Sequence, residues 1–256
     1  MKPRAWRSIL FYVCFLSLLL TYDLLLRLRM IAGRQHSLAW AKRMAPQMSR
    51  TVFAVTRVYM DHTIEVSGTI RRSELPDRFL LVSNHQSIVD IPVLASVFPH
   101  HSLRFTAKHS LFRHVPLISP MLRLQGHAAV YRGTSRRKTF RELERLGRLC
   151  RREGCPVVFP EGTRSRNGEL GRFHAGATSY LTETCRLPVV CVTMDGGFRV
   201  ADASSLGTNL QGCRYRVYLE GVFPCPIDRE ETEHLLGKLR EVMSYRLKEW
   251  RNREET

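Results

Sequence analysis

The chain opens on a long apolar run. Eighteen residues from Ile9 to Leu26 contain a single charge, Asp23, and this length is at the lower limit for a membrane-spanning helix. Arg27 and Arg29 follow it in place of a small-residue cleavage site, so we expect a retained segment rather than a signal peptide. The run predicts membrane attachment, either across the bilayer or within one leaflet, and the alternative is a buried helix of a soluble domain.

Apolar positions at a helical period continue over residues 37–59, and short apolar runs then alternate with amphipathic ones. The predicted strands are 63–68, 80–83, 103–107, 128–131, 156–159, 189–194 and 214–219. The clearest helix among them spans 135–153. This alternation predicts an α/β fold, in which helices cover a central, mostly parallel or mixed sheet. We therefore expect an N-terminal membrane-associated helical segment at 1–60 and an α/β domain at 61–256.

Charge narrows the choice of partners. The chain has 40 Lys and Arg against 23 Asp and Glu, a net charge of +17, which predicts an anionic partner. Nine basic residues in the first 50 flank the apolar run, and no aromatic and basic signature for RNA is present, so we expect a membrane surface with anionic lipids and no nucleic acid. The seven cysteines form no CxxC pair, which favours reduced, mostly buried thiols.

A histidine and an aspartate follow the strand predicted at 80–83. His85 and Asp90 lie five residues apart, and Ser87 is a candidate N-cap for a helix that begins near Ile88. In that geometry Asp90 accepts a hydrogen bond from one ring nitrogen of His85, and the other nitrogen can take a proton from a substrate hydroxyl. The pair predicts a general base, and a loop histidine that caps a strand or helix is the alternative.

An acid and an arginine surround a glycine turn after the strand predicted at 156–159. Gly162 allows a sharp bend between Glu161 and Arg164, and the guanidinium can offer a bidentate fork to a phosphate. Because ligands bind at the carboxyl ends of strands in open α/β sheets, we expect this cradle and His85 to face one cleft although 76 positions separate His85 from Glu161.

Three blocks of residues occur in an order that is typical of one enzyme family. They are Asn84-His85-x4-Asp90, then Gly126 to Gly133, then Phe159-Pro160-Glu161-Gly162-Thr163-Arg164-Ser165 followed by Phe173-x-x-Gly176-Ala177. Over residues 63–222 the chain therefore resembles the glycerolipid acyltransferases of the 1-acyl-glycerol-3-phosphate acyltransferase type.

The resemblance implies a site and a reaction. His85 would be the catalytic base and Asp90 its orienting partner. The acceptor phosphate would bind Glu161, Gly162, Thr163, Arg164 and Arg132, with Asn84, Lys108 and Ser165 in supporting positions. The reaction would transfer a fatty acyl group from acyl-CoA or acyl carrier protein to the free hydroxyl of lysophosphatidic acid, giving phosphatidic acid. We expect backbone amides of residues 84–87, or of the following helix start, to stabilise the oxyanion.

Because a thioester donor is already activated, we expect no metal and no cofactor beyond the acyl donor. The lysophospholipid substrate implies a membrane location, expected at the cytoplasmic face of a bacterial inner membrane. Two alternatives stay open. The acceptor could be glycerol-3-phosphate or another lysolipid such as a lyso-ornithine lipid, or the protein could bind anionic lipid without catalysis. Acyl-chain length, donor type and oligomeric state are left open as well.

Overall fold

The computed structural model describes residues 5–131, 133, 135–200, 209 and 211–255. Two long helices come first, α1 (Ala5–Ile31) and α2 (Arg34–Met60), so the helical period at 37–59 is part of α2. Within the described residues, five further α-helices follow: α3 (Asp90–Val97), α4 (Ile118–Leu124), α5 (Arg136–Cys150), α6 (Ala175–Cys185) and α7 (Arg229–Glu255).

The strands form a single seven-stranded sheet with the order β1-β7-β6-β2-β5-β3-β4. They are β1 (Thr63–Gly68), β2 (Leu80–Ser83), β3 (Leu103–Lys108), β4 (Ala128–Val130), β5 (Cys155–Val158), β6 (Val189–Asp195) and β7 (Arg214–Phe223). Each begins at, or one residue from, its predicted start. β7 is antiparallel to β6 and the other pairs are parallel, so the predicted mixed α/β sheet is confirmed.

β2 lies in the middle of the sheet, and its side chains alternate between two cores. Leu81 belongs to a cluster on the side of α3, whereas Leu80 and Val82 belong to a cluster on the side of α5, α6 and α7. All three are fully buried, and each buried aliphatic side chain stabilises the fold by about 1.5–3 kcal/mol. Packing on both faces therefore fixes the point at which the chain leaves β2 and enters the segment that carries His85.

α1 is anchored to the rest of the protein near both of its ends. Toward its N-terminus, Arg7 forms an ion pair with Asp61, at an N–O distance of 3.1 Å. Two turns before its C-terminal end, Asp23 accepts a 2.7 Å hydrogen bond from the backbone N–H of Leu117 and another of 2.7 Å from Arg27. The lone charge of the apolar run is therefore a docking group for the loop before α4. Nearby, Leu26 of α1 packs in a small apolar cluster with Ala41, Leu117 and Leu124.

The outer face of α1 is apolar and exposed. Within it, Trp6–Ile31 is long and apolar enough to cross a membrane by length and composition. Its exposed large side chains are Trp6, Ile9, Leu10, Val13, Leu16, Leu20, Leu24, Leu25, Leu28, Met30 and Ile31. An exposed apolar surface of this extent is unusual for a soluble monomer, and the helix is consistent with association of the protein with a membrane.

Candidate active site

The predicted site residues lie along one edge of the sheet. His85 follows β2, Glu161 follows β5, and Lys108 is the last residue of β3, and these three parallel strands are consecutive neighbours in the order β2-β5-β3. Adjacent strands lie about 4.8 Å apart, so the two motifs meet at the carboxyl ends of neighbouring strands. The chain reverses its direction of travel across the sheet here, which is where open α/β sheets bind ligands.

His85 and Asp90 are in direct contact. The His85 Nδ1 to Asp90 Oδ2 distance is 2.6 Å, and the histidine side chain is 16% exposed whereas the aspartate is fully buried. A carboxylate can only accept here, so Nδ1 carries the proton and Nε2 is left as the basic nitrogen. The pair thus has the geometry of a general base with an orienting carboxylate.

The local structure that joins the pair differs in one respect from the prediction. α3 begins at Asp90 itself, with Val89 in the capping position, so the prediction that Ser87 caps a helix from Ile88 is wrong. The Ser87 hydroxyl instead accepts from the N–H of Val89 at 3.1 Å and donates to the carbonyl of Val200. Ser87 therefore caps a turn and ties the segment to the chain that follows β6.

Asp90 gathers the polar groups of this segment. Its Oδ2 also accepts from the backbone N–H groups of Gln86, at 2.7 Å, and Ser87, at 3.0 Å. The N–H of His85 is bound as well, at 2.8 Å to Glu161 Oε1. These three amides therefore bind carboxylates in this structure, and the identity of the oxyanion donors stays a prediction.

Glu161 is a bridge between backbone segments. Its Oε1 accepts from the N–H of His85 at 2.8 Å, and its Oε2 accepts from the N–H of Gly171 at 2.9 Å. Burial raises the pKa of Glu161, and the two N–H donors oppose this shift because they favour the charged form. Both oxygens therefore bind protein amides, whereas the family resemblance implies that this carboxylate contacts the acceptor phosphate.

Ser165, at the end of the block that contains Glu161, binds the backbone carbonyl of His85. The N–H of Ser165 donates to the His85 carbonyl at 2.8 Å. Together with Glu161, it fixes the histidine's main chain on both sides, so the second motif acts as a clamp on the first.

Between these two clamps the chain bends outward. Gly162 has φ +66° and its N–H closes the turn on the Phe159 carbonyl at 3.0 Å. A Cβ at Gly162 would meet nothing within 4 Å, so glycine is favoured here by its backbone conformation and not by lack of space. Thr163 is exposed and Arg164 is half-buried. These residues form the outward-facing part of the predicted phosphate cradle.

Phe159 supports the histidine ring, a role that the sequence did not indicate. Its ring stacks on the imidazole of His85 with centroids 4.2 Å apart and planes inclined by 14°. Phe105 from β3 lies behind it at 6.5 Å. The signals in the sequence were its place at the end of a predicted strand and at the start of the third block of the family resemblance. Stacking limits rotation of the imidazole out of the Asp90 hydrogen bond.

The side chains on either side of His85 bind β6 and the turn after it. Asn84 exchanges two 2.8 Å hydrogen bonds with the backbone N–H and carbonyl of Met194. Gln86 donates to Asp195 at 3.2 Å and accepts from the N–H of Gly197 at 3.1 Å. Asn84 is therefore buried in a structural contact, and it supports the site by holding the segment rather than by facing a substrate.

Lys108 and Arg132 are the two remaining residues predicted for the phosphate site. Lys108 is exposed at the end of β3, on the sheet edge that carries the cradle, and its role stays a prediction. Arg132 lies outside the described residues.

The match to a family model agrees with this arrangement. A model described as Acyltransferase matches residues 63–195, which extend from β1 through β6 and include both motifs. The chain belongs to the acyltransferase family.

Curated members of the family give the same assignment. The chloroplastic 1-acyl-sn-glycerol-3-phosphate acyltransferase BAT2 of Brassica napus is 30% identical over 156 residues, 61% of this chain and 44% of its own length. The 1-acyl-sn-glycerol-3-phosphate acyltransferase of Saccharomyces cerevisiae is 26% identical over 222 residues, 86% of this chain and 69% of its own. The acyltransferase chain thus spans less than half of the plant relative and about two thirds of the yeast one.

A solved structure extends the likeness to nearly the whole fold. The crystal structure of the 1-acyl-sn-glycerophosphate (LPA) acyltransferase PlsC from Thermotoga maritima superposes with a TM-score of 0.68 over 96% of this chain and 95% of that one. Sequence identity is 19%, so the acyltransferase shares its fold, including the region that precedes the sheet.

Proposed function

We propose that this acyltransferase moves a fatty acyl group from an acyl thioester to the free hydroxyl of lysophosphatidic acid, producing phosphatidic acid. The observation that carries the proposal is the contact between His85 Nδ1 and Asp90 Oδ2 at 2.6 Å, on the strand end next to the Gly162 to Arg164 turn. The names of the Brassica napus and Saccharomyces cerevisiae relatives support the choice of acceptor.

In the proposed reaction, His85 acts through Nε2. This nitrogen takes the proton of the acceptor hydroxyl as that oxygen attacks the thioester carbonyl, and Asp90 stabilises the imidazolium that forms. The tetrahedral intermediate then collapses, the carbon–sulfur bond breaks, and the imidazolium returns the proton to the leaving thiolate. The proton balance closes on His85, so the cycle needs no other acid or base.

We propose that the acceptor phosphate binds at Gly162, Thr163 and Arg164, and that Arg132 and Lys108 assist. Arg164 supplies the bidentate fork, and the outward turn of Gly162 presents this part of the chain at the same sheet edge as His85. We assign Glu161, Asn84 and Ser165 to support of the His85 backbone, because their polar atoms bind protein groups in this structure.

We propose further that residues 1–60 attach the acyltransferase domain, 61–256, to one leaflet of a membrane. A helix that crossed the bilayer would carry one end to the side opposite the domain. In α1, however, both Arg7 and Asp23 bind groups on the domain side, at Asp61 and Leu117. α1 therefore lies along the domain and presents its apolar face to the lipid.

The second helix carries a basic stripe of its own. Arg43, Arg50 and Arg57 are exposed on α2 at intervals of seven residues, which places them on one face of the helix. Such a stripe attracts anionic headgroups, each basic residue contributing about 1 kcal/mol near the surface. The seven cysteines are thiols rather than disulfides, which favours the cytoplasmic face, where thiols stay reduced.

The test of function uses the purified full chain with vesicles that contain lysophosphatidic acid. One set of reactions receives acyl-CoA and the other acyl carrier protein loaded with the same fatty acid, and lipids are measured by mass spectrometry. We expect phosphatidic acid from one or both donors and none from His85→Ala, while His100→Ala, which changes an exposed histidine, keeps full activity. Equal product formation by His85→Ala contradicts the mechanism.

The acceptor is tested in the same assay. Glycerol-3-phosphate, lysophosphatidylcholine and a lyso-ornithine lipid replace lysophosphatidic acid one at a time. We expect the highest kcat/KM with lysophosphatidic acid, because its terminal phosphate fits the arginine turn. A higher kcat/KM with any of the others replaces the proposed acceptor and leaves the acyl transfer in place.

A further inference from the structure

Asp90 receives one hydrogen bond that comes from far away in the chain. Its Oδ2 is bound by His85 and by two amides of the same segment. Its other oxygen, Oδ1, accepts from the hydroxyl of Tyr215. Tyr215 lies on β7, 125 positions after Asp90, and outside the residues 63–195 that match the family model. The two oxygens of the carboxylate thus have different partners, one local and one from the antiparallel strand.

Tyr215 is held in place on all sides. It is 1% exposed, and the ring of His62 meets its ring edge-on at a centroid distance of 6.3 Å. Gly197 leaves space for the hydroxyl, because a Cβ at that position would lie 2.8 Å from the tyrosine oxygen. The backbone pairing of β7 with β6 and β1 fixes the strand itself. The hydroxyl therefore points at Asp90, and it also contacts Met194 Sδ at 3.9 Å.

The chemistry of the pair makes Tyr215 a permanent donor. Burial and the negative charge of Asp90 raise the pKa of Tyr215 well above its usual value of 10, so the phenol keeps its proton throughout the physiological range. A carboxylate that is fully buried needs such donors to remain charged. The hydroxyl also prevents rotation of the carboxylate about its Cβ–Cγ bond, because Oδ1 and Oδ2 are both bound.

We propose that Tyr215 is a positioning residue for the acyl transfer: by binding Asp90 Oδ1 it orients Oδ2 toward Nδ1 of His85 and so aims Nε2 at the acceptor hydroxyl. The proposal rests on the general-base role of His85 in the proposed function. Tyr215 touches no reacting atom in this scheme and acts through the carboxylate.

The decisive variant is Tyr215→Phe, which removes the hydroxyl and keeps the ring. Its matched control is Tyr218→Phe on the same strand, whose hydroxyl contacts Thr69 at 3.4 Å and which lies on the opposite face of the sheet from Tyr215. We expect Tyr215→Phe to lower kcat by roughly ten- to hundred-fold, with KM for lysophosphatidic acid within about two-fold of wild type. Tyr218→Phe should keep kcat within about two-fold.

The pH profile gives a readout that a merely structural role would not move. Without the tyrosine donor, the Asp90 carboxylate has one fewer competing hydrogen bond, so it interacts more strongly with the imidazolium of His85 and favours that protonated form. The acidic limb of the kcat/KM profile should therefore move to higher pH in Tyr215→Phe and stay in place in Tyr218→Phe. A wild-type kcat together with an unmoved limb in Tyr215→Phe overturns the proposal, as does an equal loss of kcat in the control.

A measurement without substrate separates this proposal from the proposed function. The proton between Nδ1 of His85 and Asp90 should give a low-field 1H NMR resonance, assigned by its loss in His85→Gln. We expect Tyr215→Phe to shift or broaden that resonance, and Tyr218→Phe to leave it unchanged. If no donor and acceptor pair yields product but the resonance responds to Tyr215→Phe, the reaction is wrong and the positioning stands. A resonance unaffected by Tyr215→Phe overturns the positioning role.

Discussion

The backbone N–H of His85 donates to Oε1 of Glu161 at 2.8 Å, across 76 positions of sequence. The same carboxylate binds the N–H of Gly171 through its other oxygen. Glu161 therefore connects three segments of chain behind the imidazole, and its loss should affect the placement of the base more than the affinity for a phosphate.

Glu161→Gln and Arg164→Ala are expected to change different constants. In Glu161→Gln, the side-chain amide offers one acceptor oxygen to two N–H groups, so one hydrogen bond to a charged partner is lost. We expect kcat to fall roughly ten-fold or more with little change in KM for lysophosphatidic acid. Arg164→Ala should instead raise that KM by roughly ten-fold, because a charge-assisted contact to the phosphate disappears. Steady-state kinetics on vesicles measures both.

Two comparisons make this prediction specific. Glu169→Gln, which changes an exposed glutamate of the same region, should leave both constants unchanged. If Arg164→Ala weakens a phosphate-free acceptor as strongly as lysophosphatidic acid, the arginine does not bind the phosphate.

The stacking of Phe159 on His85 predicts an effect of the ring itself. Phe159→Leu keeps an apolar side chain but removes the flat surface 4.2 Å from the imidazole. We expect kcat to fall by roughly three- to ten-fold, since aromatic pairs contribute about 0.5–1.5 kcal/mol beyond their buried area. Phe140→Leu, at a site that is 56% exposed, is the control. Equal kcat values for the two variants would show that the ring does not restrain His85.

Asp23 is expected to matter for stability, because it joins α1 to the loop before α4. Asp23→Ala leaves the buried N–H of Leu117 without this acceptor, at a cost of about 1–3 kcal/mol. Asp61→Asn removes an exposed ion pair instead, worth about 0–1 kcal/mol, and asparagine tolerates the left-handed conformation of Asp61, whose φ is +51°. Thermal unfolding in detergent should therefore give a clearly lower Tm for Asp23→Ala alone. Similar Tm values for both variants would mean that the Leu117 contact contributes little.

Acid should destabilise the fold through His127. This side chain accepts from the N–H of Phe105 at 2.9 Å, and burial, with Arg104 and Arg145 nearby, lowers the pKa of His127 from 6.5 to about 3. The unfolded chain therefore binds a proton below about pH 6.5 that the folded chain does not bind until near pH 3. Its contribution to stability is complete above about pH 6.5 and is lost as the pH falls, by up to about 1.4 kcal/mol per pH unit.

The measurement compares Tm at about pH 7, 6 and 5 for wild type and His127→Gln. The amide does not titrate, so we expect a smaller decrease of Tm with acidification in the variant, even if it is less stable at neutral pH. His100→Gln, at an exposed position, should follow wild type. A variant that loses Tm as steeply as wild type assigns the acid sensitivity to other groups.

Local pattern was sufficient to predict the strands of the fold. The strands could be located from short apolar runs because a strand buried on both faces, such as β2, needs apolar side chains at consecutive positions. The His85 and Asp90 contact was also predictable, since five residues and one turn bring the side chains together. The start of α3 was not, because the Ser87 hydroxyl caps a turn at Val89 and the regular helix begins only at Asp90.

The sequence by itself determined the strands, the apolar helix, and the pair of motifs at strand ends, because each depends on residues within a few positions of one another. Only the tertiary structure decided what surrounds His85. Glu161 reaches its backbone from the neighbouring strand, Phe159 stacks on its ring, and Tyr215 binds its aspartate from an antiparallel strand. Sheet order sets these contacts, and sheet order results from packing of the whole core, which no local spacing encodes.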